Sequence, residues 1–268
     1  MIRRNPITGD PVLLAPERLL RPHALGGDEE IVCPFCPGNE RETPPEIWRD
    51  GDPWSIRVFP NKYPASERHE IVVESASHDA HFEDLADAAA VVDTWLARYR
   101  ALSPAIIFRN DGRAAGASIA HAHSQVLGTP FVPPRLAREA EAFARAARCP
   151  LCEIDGEPLV RESEHYRVVA PRGSSFAYEH WIVPRAHGHD VGDVHELASL
   201  LQSSARASRS VAPGFNWIFM TFPHEPRAHW YVAVIPRLGG LAGYEVGAGG
   251  AINIVDPDEA ARTLRQRQ

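Results

Sequence analysis

No stretch of this 268-residue chain approaches the ~20 consecutive apolar residues that a membrane helix needs. The opening residues, Met1-Ile2-Arg3-Arg4-Asn5-Pro6, also lack the apolar core of a secretory signal. No membrane partner is therefore expected, and the cytoplasm is the expected compartment. Basic charge is in deficit as well. A formal net charge of −7 leaves no excess with which to displace phosphate counterions, so a mainly electrostatic nucleic-acid binder is excluded. Lysine is all but missing: Lys62 is the only one, and arginine supplies the rest of the 28 basic residues. A GC-rich genome accounts for such a preference, yet it leaves Lys62 conspicuous within Pro60-Asn61-Lys62-Tyr63-Pro64. Cysteine is scarce too, four in all, arranged as Cys33/Cys36 and Cys149/Cys152. In a cytosolic protein, pairs at this spacing point to metal or redox chemistry before disulfides. What remains is the composition of a soluble globular protein, 44% hydrophobic and 24% charged, long enough for one large domain or two.

The chain echoes itself. Cys33-Pro34-Phe35-Cys36 recurs as Cys149-Pro150-Leu151-Cys152. Each pair precedes a strand-like run ending in proline, Ile56 to Pro60 and Tyr166 to Pro171. His69-Glu70-Ile71-Val72-Val73 then matches His180-Trp181-Ile182-Val183-Pro184. A helix is expected after each, over 82–102 and 194–211. In the first, Leu85, Ala88, Ala89, Val92, Trp95, Leu96 and Tyr99 have the three- and four-residue spacing of an amphipathic helix. Closing strands are expected at 105–108 and 120–123, and again at 216–219 and 228–231. The order predicts an α+β protein of two tandem units, each an antiparallel sheet backed by a helix. The proline-rich turn at Pro130, Pro133 and Pro134, followed by an Ala/Arg/Glu helix, sets the boundary between 1–134 and 135–268.

Two cysteines separated by two residues can hold one tetrahedral ion but need two further ligands. The first half offers His78 and His121, the second His187 and His229. His81 and His189 are near rivals for His78 and His187. Thiolate with imidazole favours zinc over magnesium or calcium, and four protein ligands favour a structural role over a catalytic one. A redox Cys-x-x-Cys would sit at a helix start, where its thiol pKa falls. Pro37-Gly38-Asn39 and Pro44-Pro45 make that a poor fit.

His121, His123 and Gln125 alternate, and on a strand they share one face. With His121 on the metal, His123 is left free, and a neutral imidazole is a competent nucleophile toward activated phosphorus. Gln125 can donate to a phosphate oxygen as charge builds there. The approach, Asn110-Asp111-Gly112-Arg113-Ala114-Ala115-Gly116-Ala117-Ser118, combines small residues that admit a phosphate with the Ser118 hydroxyl. On the residues alone, a pure metal site and a nucleophile both stay open.

Taken together, the motifs resemble one family. Cys33-Pro34-Phe35-Cys36-Pro37-Gly38-Asn39-Glu40 with Thr43-Pro44-Pro45-Glu46, Val58-Phe59-Pro60-Asn61-Lys62-Tyr63-Pro64-Ala65, and Gly116-Ala117-Ser118 ahead of His-x-His-x-Gln look like galactose-1-phosphate uridylyltransferase, a branch of the histidine triad superfamily. The resemblance runs from Asn5 to Asn253. It implies two histidine-triad-like units and a ping-pong reaction. His123 would attack the α-phosphorus of a nucleotide sugar, release a sugar 1-phosphate, and pass the nucleotide to a second sugar 1-phosphate. It implies zinc on Cys33, Cys36, His78 and His121, with phosphate contacts from Ser118 and Gln125. Arg18, Arg21, Asn61, Asn110 and Gly112 match nucleotide-side positions, and Tyr244 and Glu245 match the region near the hexose. Ala122 departs from the family's usual proline. Tyr231 stands where a second nucleophile would fall, so only the first half is expected to be catalytic.

UMP transfer between a UDP-hexose and a hexose 1-phosphate is the first expectation. The second cysteine pair resembles relatives that phosphorolyse ADP-glucose, which keeps an ADP-sugar or dinucleoside polyphosphate phosphorylase open. A zinc-stabilised nucleotide-binding protein without turnover is the non-enzymatic alternative. Self-association as a homodimer also stays open.

Overall fold

The computed structural model describes residues 1–21 and 32–268. In chain order it contains β1 (Ile2–Arg4), β2 (Pro11–Leu13), β3 (Trp48–Arg49), β4 (Arg57–Pro60), β5 (Arg68–Val73), α1 (Ala88–Leu102), β6 (Ala105–Asp111), β7 (His123–Gly128) and α2 (Pro134–Arg145). There follow β8 (Leu159–Glu162), β9 (Tyr166–Val169), β10 (His180–Pro184), α3 (Val194–Val211), β11 (Phe215–Met220), β12 (Tyr231–Pro236), α4 (Gly243–Ala248) and α5 (Pro257–Gln266). The chain divides into two compact units. One comprises Met1–Arg109 with Ser118–Arg138, the other Asn110–Ala117 with Glu139–Gln268. A boundary drawn after residue 134 from composition falls at the start of α2. The structure assigns the first turn of that helix to the first unit and places segment Asn110–Ala117 with the second.

The first unit carries an antiparallel sheet in the order β3-β4-β5-β7-β6. Its apolar strand positions bury Val58, Phe59, Val72, Val73, Ile107 and Val126. Helix α1 begins at Ala88 because Asp87 caps it, its carboxylate accepting the Ala90 N–H at 2.9 Å. The expected start at 82 is instead a separate 3-10 turn, Phe82–Asp84. The turn and helix are welded by Phe82 stacking on Trp95, with ring centroids 5.5 Å apart and both side chains fully buried. A bidentate ion pair from Arg98 to Glu70, at 2.6 and 2.7 Å, ties α1 to β5.

The second unit repeats the plan as β11-β12-β10-β9-β8, antiparallel throughout, backed by α3. Asp193 caps α3 through the Glu196 N–H at 2.7 Å, and Leu197, Leu200, Leu201 and Ala205 form its buried stripe. The expected α+β class, an antiparallel sheet backed by a helix in each half, is what the chain adopts. No helix among the described residues is long and apolar enough to cross a membrane.

The echo in sequence is not a strict echo in register. His69 pairs across to Leu127, four residues beyond His123, and so shares that residue's face. His180 pairs with Val234, three residues beyond Tyr231, and faces the other way. One residue of slip separates two histidines that the sequence pattern matches.

Candidate active site

The site is built on β7, and β7 starts later than expected, at His123 rather than Ala120. His121 and Ala122 form an irregular lead-in, fully buried, held by the Ala122 carbonyl accepting the Glu74 N–H at 3.0 Å. His123 and Gln125 share a face as strand alternation requires, while His121 leaves that row and turns to the cysteines. Its Nε2–H donates to the Ser75 carbonyl at 2.7 Å, which directs the Nδ1 lone pair at Cys33 and Cys36, both Sγ atoms lying 3.6 Å away.

His78 completes the group, its Nδ1 3.3 Å from Cys36 Sγ. The second unit assembles Cys149, Cys152, His187 and His229 in the same way, with S···N separations of 3.4, 3.6 and 3.9 Å. In each group the four candidate ligand atoms lie within 4.8 Å of one another. The ring pairs match closely. His78 and His121 are 5.4 Å apart at 88°, His187 and His229 5.4 Å at 78°. Tetrahedral zinc, with Zn–S ~2.3 Å and Zn–N ~2.0 Å, separates its sulfur and nitrogen ligands by about 3.5 Å, so both donor sets fit that ion. Burial pushes the Cys33 and Cys152 thiols up to about 11, so an ion that takes the thiolates displaces protons.

Beside the first group lies a cavity of about 460 Å³, lined in part by Phe35, Phe59, Asn61, Ser118, His123 and Gln125. Its floor is apolar: Phe35, Phe59 and Ile71 belong to one cluster with Trp54 and Val73. Phe35 meets Phe59 at 5.5 Å and stands edge-on to His123 at 5.2 Å, so the residue inside the cysteine pair supports the candidate nucleophile. One wall, residues 40–46, is held by Arg57. That arginine is 1% exposed, pairs with Glu46 at 3.0 Å, donates to Thr43 Oγ1 at 2.5 Å and lies 4.8 Å over the Phe59 ring. Lys62 lines the same cavity, and its Nζ donates to the Glu42 carbonyl at 3.1 Å.

His123 is 7% exposed, and its Nδ1 lies 2.8 Å from the His121 carbonyl. A carbonyl only accepts, so Nδ1 carries the proton and Nε2 keeps its lone pair. Burial pushes its pKa down to about 4, helped by the positive charges of Arg109 and Arg21. Arg109 and Glu74 form a buried ion pair. Arg21 donates to Ser118 Oγ at 2.7 Å, which leaves the hydroxyl hydrogen of Ser118 available to a ligand.

Of the residues expected at the site, Arg21, Asn61, Ser118, His123 and Gln125 line the cavity. Arg18 holds its rim instead, donating to the Tyr63 carbonyl at 2.7 Å. Asn110, Gly112, Gly116, Tyr244 and Glu245 belong to the second unit. There Asn110 accepts from Asn216 at 2.8 Å. Gly112, with φ of 79°, has room for no side chain: a Cβ would lie 2.6 Å from the Pro213 carbonyl oxygen. Gly116, with φ of 86°, ends the short turn Arg113–Ala115. Tyr244 is exposed against Gly250, and the Glu245 carboxylate accepts the Ala242 N–H at 3.0 Å at the start of α4. Sequence reasoning passed over Phe35, Phe59, Ile71 and His69 as site residues. Phe59 and Ile71 stood only within strand-like runs, and His69 stood out only through its match to His180.

A family model described as galactose-1-phosphate uridyl transferase, N-terminal domain, matches residues 64–133. ADP-glucose phosphorylase from Arabidopsis thaliana is 31% identical, over 99% of this chain and 92% of its own length. The chain belongs to the galactose-1-phosphate uridylyltransferase family. Galactose-1-phosphate uridylyltransferase from Thermotoga maritima is 27% identical over 100% of this chain and 98% of its own. The crystal structure of the Arabidopsis ADP-glucose phosphorylase, with bound ADP-glucose, superposes with a TM-score of 0.78 at 29% identity, covering 100% and 98% of the two chains. The chain is thus an enzyme of the hexose-1-phosphate uridylyltransferase-like family. In its second unit, the strand face that corresponds to the His123 face is closed by side chains. Trp181 meets Tyr231 in a tilted ring contact at 4.6 Å, and the Tyr231 hydroxyl donates to Glu139 at 3.0 Å.

Proposed function

We propose that the chain transfers a nucleoside monophosphate from a nucleotide sugar through a covalent nucleotidyl-histidine on His123. The observation that carries this is the buried His123 ring at the cavity wall, with Nδ1 tied to the His121 carbonyl and Nε2 unprotonated. In the first step Nε2 bonds to the α-phosphorus, the bond from phosphorus to the bridging oxygen breaks, and a sugar 1-phosphate departs. In the second step a phosphate-bearing acceptor attacks phosphorus, the P–N bond breaks and neutral imidazole is regenerated. Arg21, Ser118 and the Gln125 amide supply positive charge and donors to the oxygens on which charge builds. The aromatic floor of Phe35 and Phe59 takes the base by stacking. Zinc in the Cys33, Cys36, His78 and His121 group would rigidify the lead-in to β7, and zinc in the Cys149, Cys152, His187 and His229 group would do the same for β12.

For the nucleotide and acceptor, the uridylyl reading takes UMP from a UDP-hexose to a hexose 1-phosphate, as the Thermotoga relative's name describes. A second reading, adenylyl transfer from an ADP-sugar to inorganic phosphate, is favoured by the 31% identity to the Arabidopsis ADP-glucose phosphorylase across nearly the whole chain. Isotope exchange tests both. Labelled glucose 1-phosphate should exchange into UDP-glucose or ADP-glucose in the absence of any second acceptor, as a ping-pong enzyme requires. Exchange into neither overturns the proposal, and the nucleotide that exchanges faster names the base. Adding phosphate then distinguishes release of a nucleoside diphosphate from transfer to a second sugar.

A further inference from the structure

His69 is 3% exposed on β5 and takes no part in the steps above. Its Nδ1 lies 3.0 Å from the Ala65 backbone nitrogen, and its Nε2 lies 3.0 Å from Gln125 Oε1. An amide N–H only donates, so Nδ1 is an acceptor, and in a neutral ring the proton sits on Nε2. Burial, with Arg18 and Arg21 nearby, pushes the His69 pKa down to about 4, so the ring is neutral at ordinary pH. The Nε2–H then needs an acceptor. The Asn61 amide is no candidate. Its oxygen already accepts the Tyr63 N–H at 2.9 Å, and the atom 3.4 Å from His69 Nε2 is its amino nitrogen. Gln125 therefore turns its oxygen to His69, and its amino group is left for the cavity it lines.

We propose that His69 is a positioning residue for nucleotidyl transfer. The relay Ala65 N–H to His69 to Gln125 locks the Gln125 amide with its two N–H donors toward the phosphoryl group. This rests on the nucleotidyl-histidine reading. Without the lock the amide can invert, and its carbonyl oxygen then faces oxygens that gain negative charge in the transition state. The loss falls on the chemical step rather than on ground-state binding. In the second unit Ala233 follows Tyr231 by two residues as Gln125 follows His123, and His180 faces away; both parts of the relay are absent from the unit whose corresponding strand face is filled.

Two measurements test the relay. In the wild-type protein, ¹⁵N NMR of the His69 ring should give the Nε2–H tautomer, and an Nδ1–H ring would overturn the proposal without reference to activity. In single-turnover reactions with UDP-glucose and ADP-glucose, His69→Ala should slow adduct formation about 10- to 100-fold, with nucleotide-sugar affinity within about threefold of wild type. His69→Gln places an amide N–H near the former Nε2–H and should recover most of the rate. Wild-type rates in His69→Ala, or equal loss in both variants at unchanged melting temperature, would overturn it. Failure of the wild-type protein to form any adduct would instead sink the nucleotidyl reading, while the tautomer measurement still reports on His69.

Discussion

His123 combines two properties that oppose each other at an ordinary surface histidine. It is buried enough to stay unprotonated, yet it lines a cavity and keeps the nitrogen not tied to the His121 carbonyl for phosphorus. His123→Ala should abolish covalent labelling by nucleotide sugar while leaving the melting temperature within a few degrees, since no hydrogen bond except that to the His121 carbonyl is lost. Circular dichroism and autoradiography on the same sample check both halves of that statement. At this scale the cysteine and histidine groups were legible in the sequence, because two closely spaced thiols announce a metal and leave only a few histidines as partners. The partnership of His69 with Gln125 was not legible. It joins residues 56 apart and depends on register, which a single-residue slip reverses in the second unit.

Among the elements, β7 and the segment that leads into it govern the site. The alternation of His121, His123 and Gln125 suggested one straight strand, and the last two keep that relation. His121 leaves it because its ring is held from both sides, by the Ser75 carbonyl on Nε2 and the two sulfurs on Nδ1. Glycine preceding this strand reads as room for a phosphate, but Gly112 is required by the close approach of the Pro213 backbone. Gly112→Ala should destabilise the protein by about 1–3 kcal/mol, from a positive φ and a backbone clash together. Urea denaturation measures it, and a change under about 0.5 kcal/mol would contradict the packing. Helix α3 was legible from end to end because Asp193 caps its start. Helix α1 was read too long, since the apolar pattern runs on through a 3-10 turn and only Asp87 marks the true beginning.

For the whole molecule, duplication puts one Cys2His2 group in each unit. Elemental analysis should find two zinc ions per chain, falling to one in His121→Ala, with a melting temperature lowered by several degrees on chelation. Zinc affinity should fall as pH falls, because the thiols must release protons to bind. Acid should also weaken the fold itself. His69 and His180 drop from the ordinary 6.5 to about 4 when buried, so between those values the unfolded chain binds more protons than the native one. The contribution of these two groups should therefore be constant above pH ~6.5 and decline as pH falls toward 4, by up to about 3 kcal/mol for each group. Substituting His180→Gln should flatten that decline, and an unchanged slope would contradict the assignment. Covalent transfer through His123 is tested most directly by the intact mass of the protein after brief exposure to UDP-glucose and, separately, to ADP-glucose. Nucleotidyl transfer through His123 gives the added mass of one nucleoside monophosphate, mapped to His123 and removed by glucose 1-phosphate. An unmodified mass with both donors, or an adduct on any other residue, would contradict it.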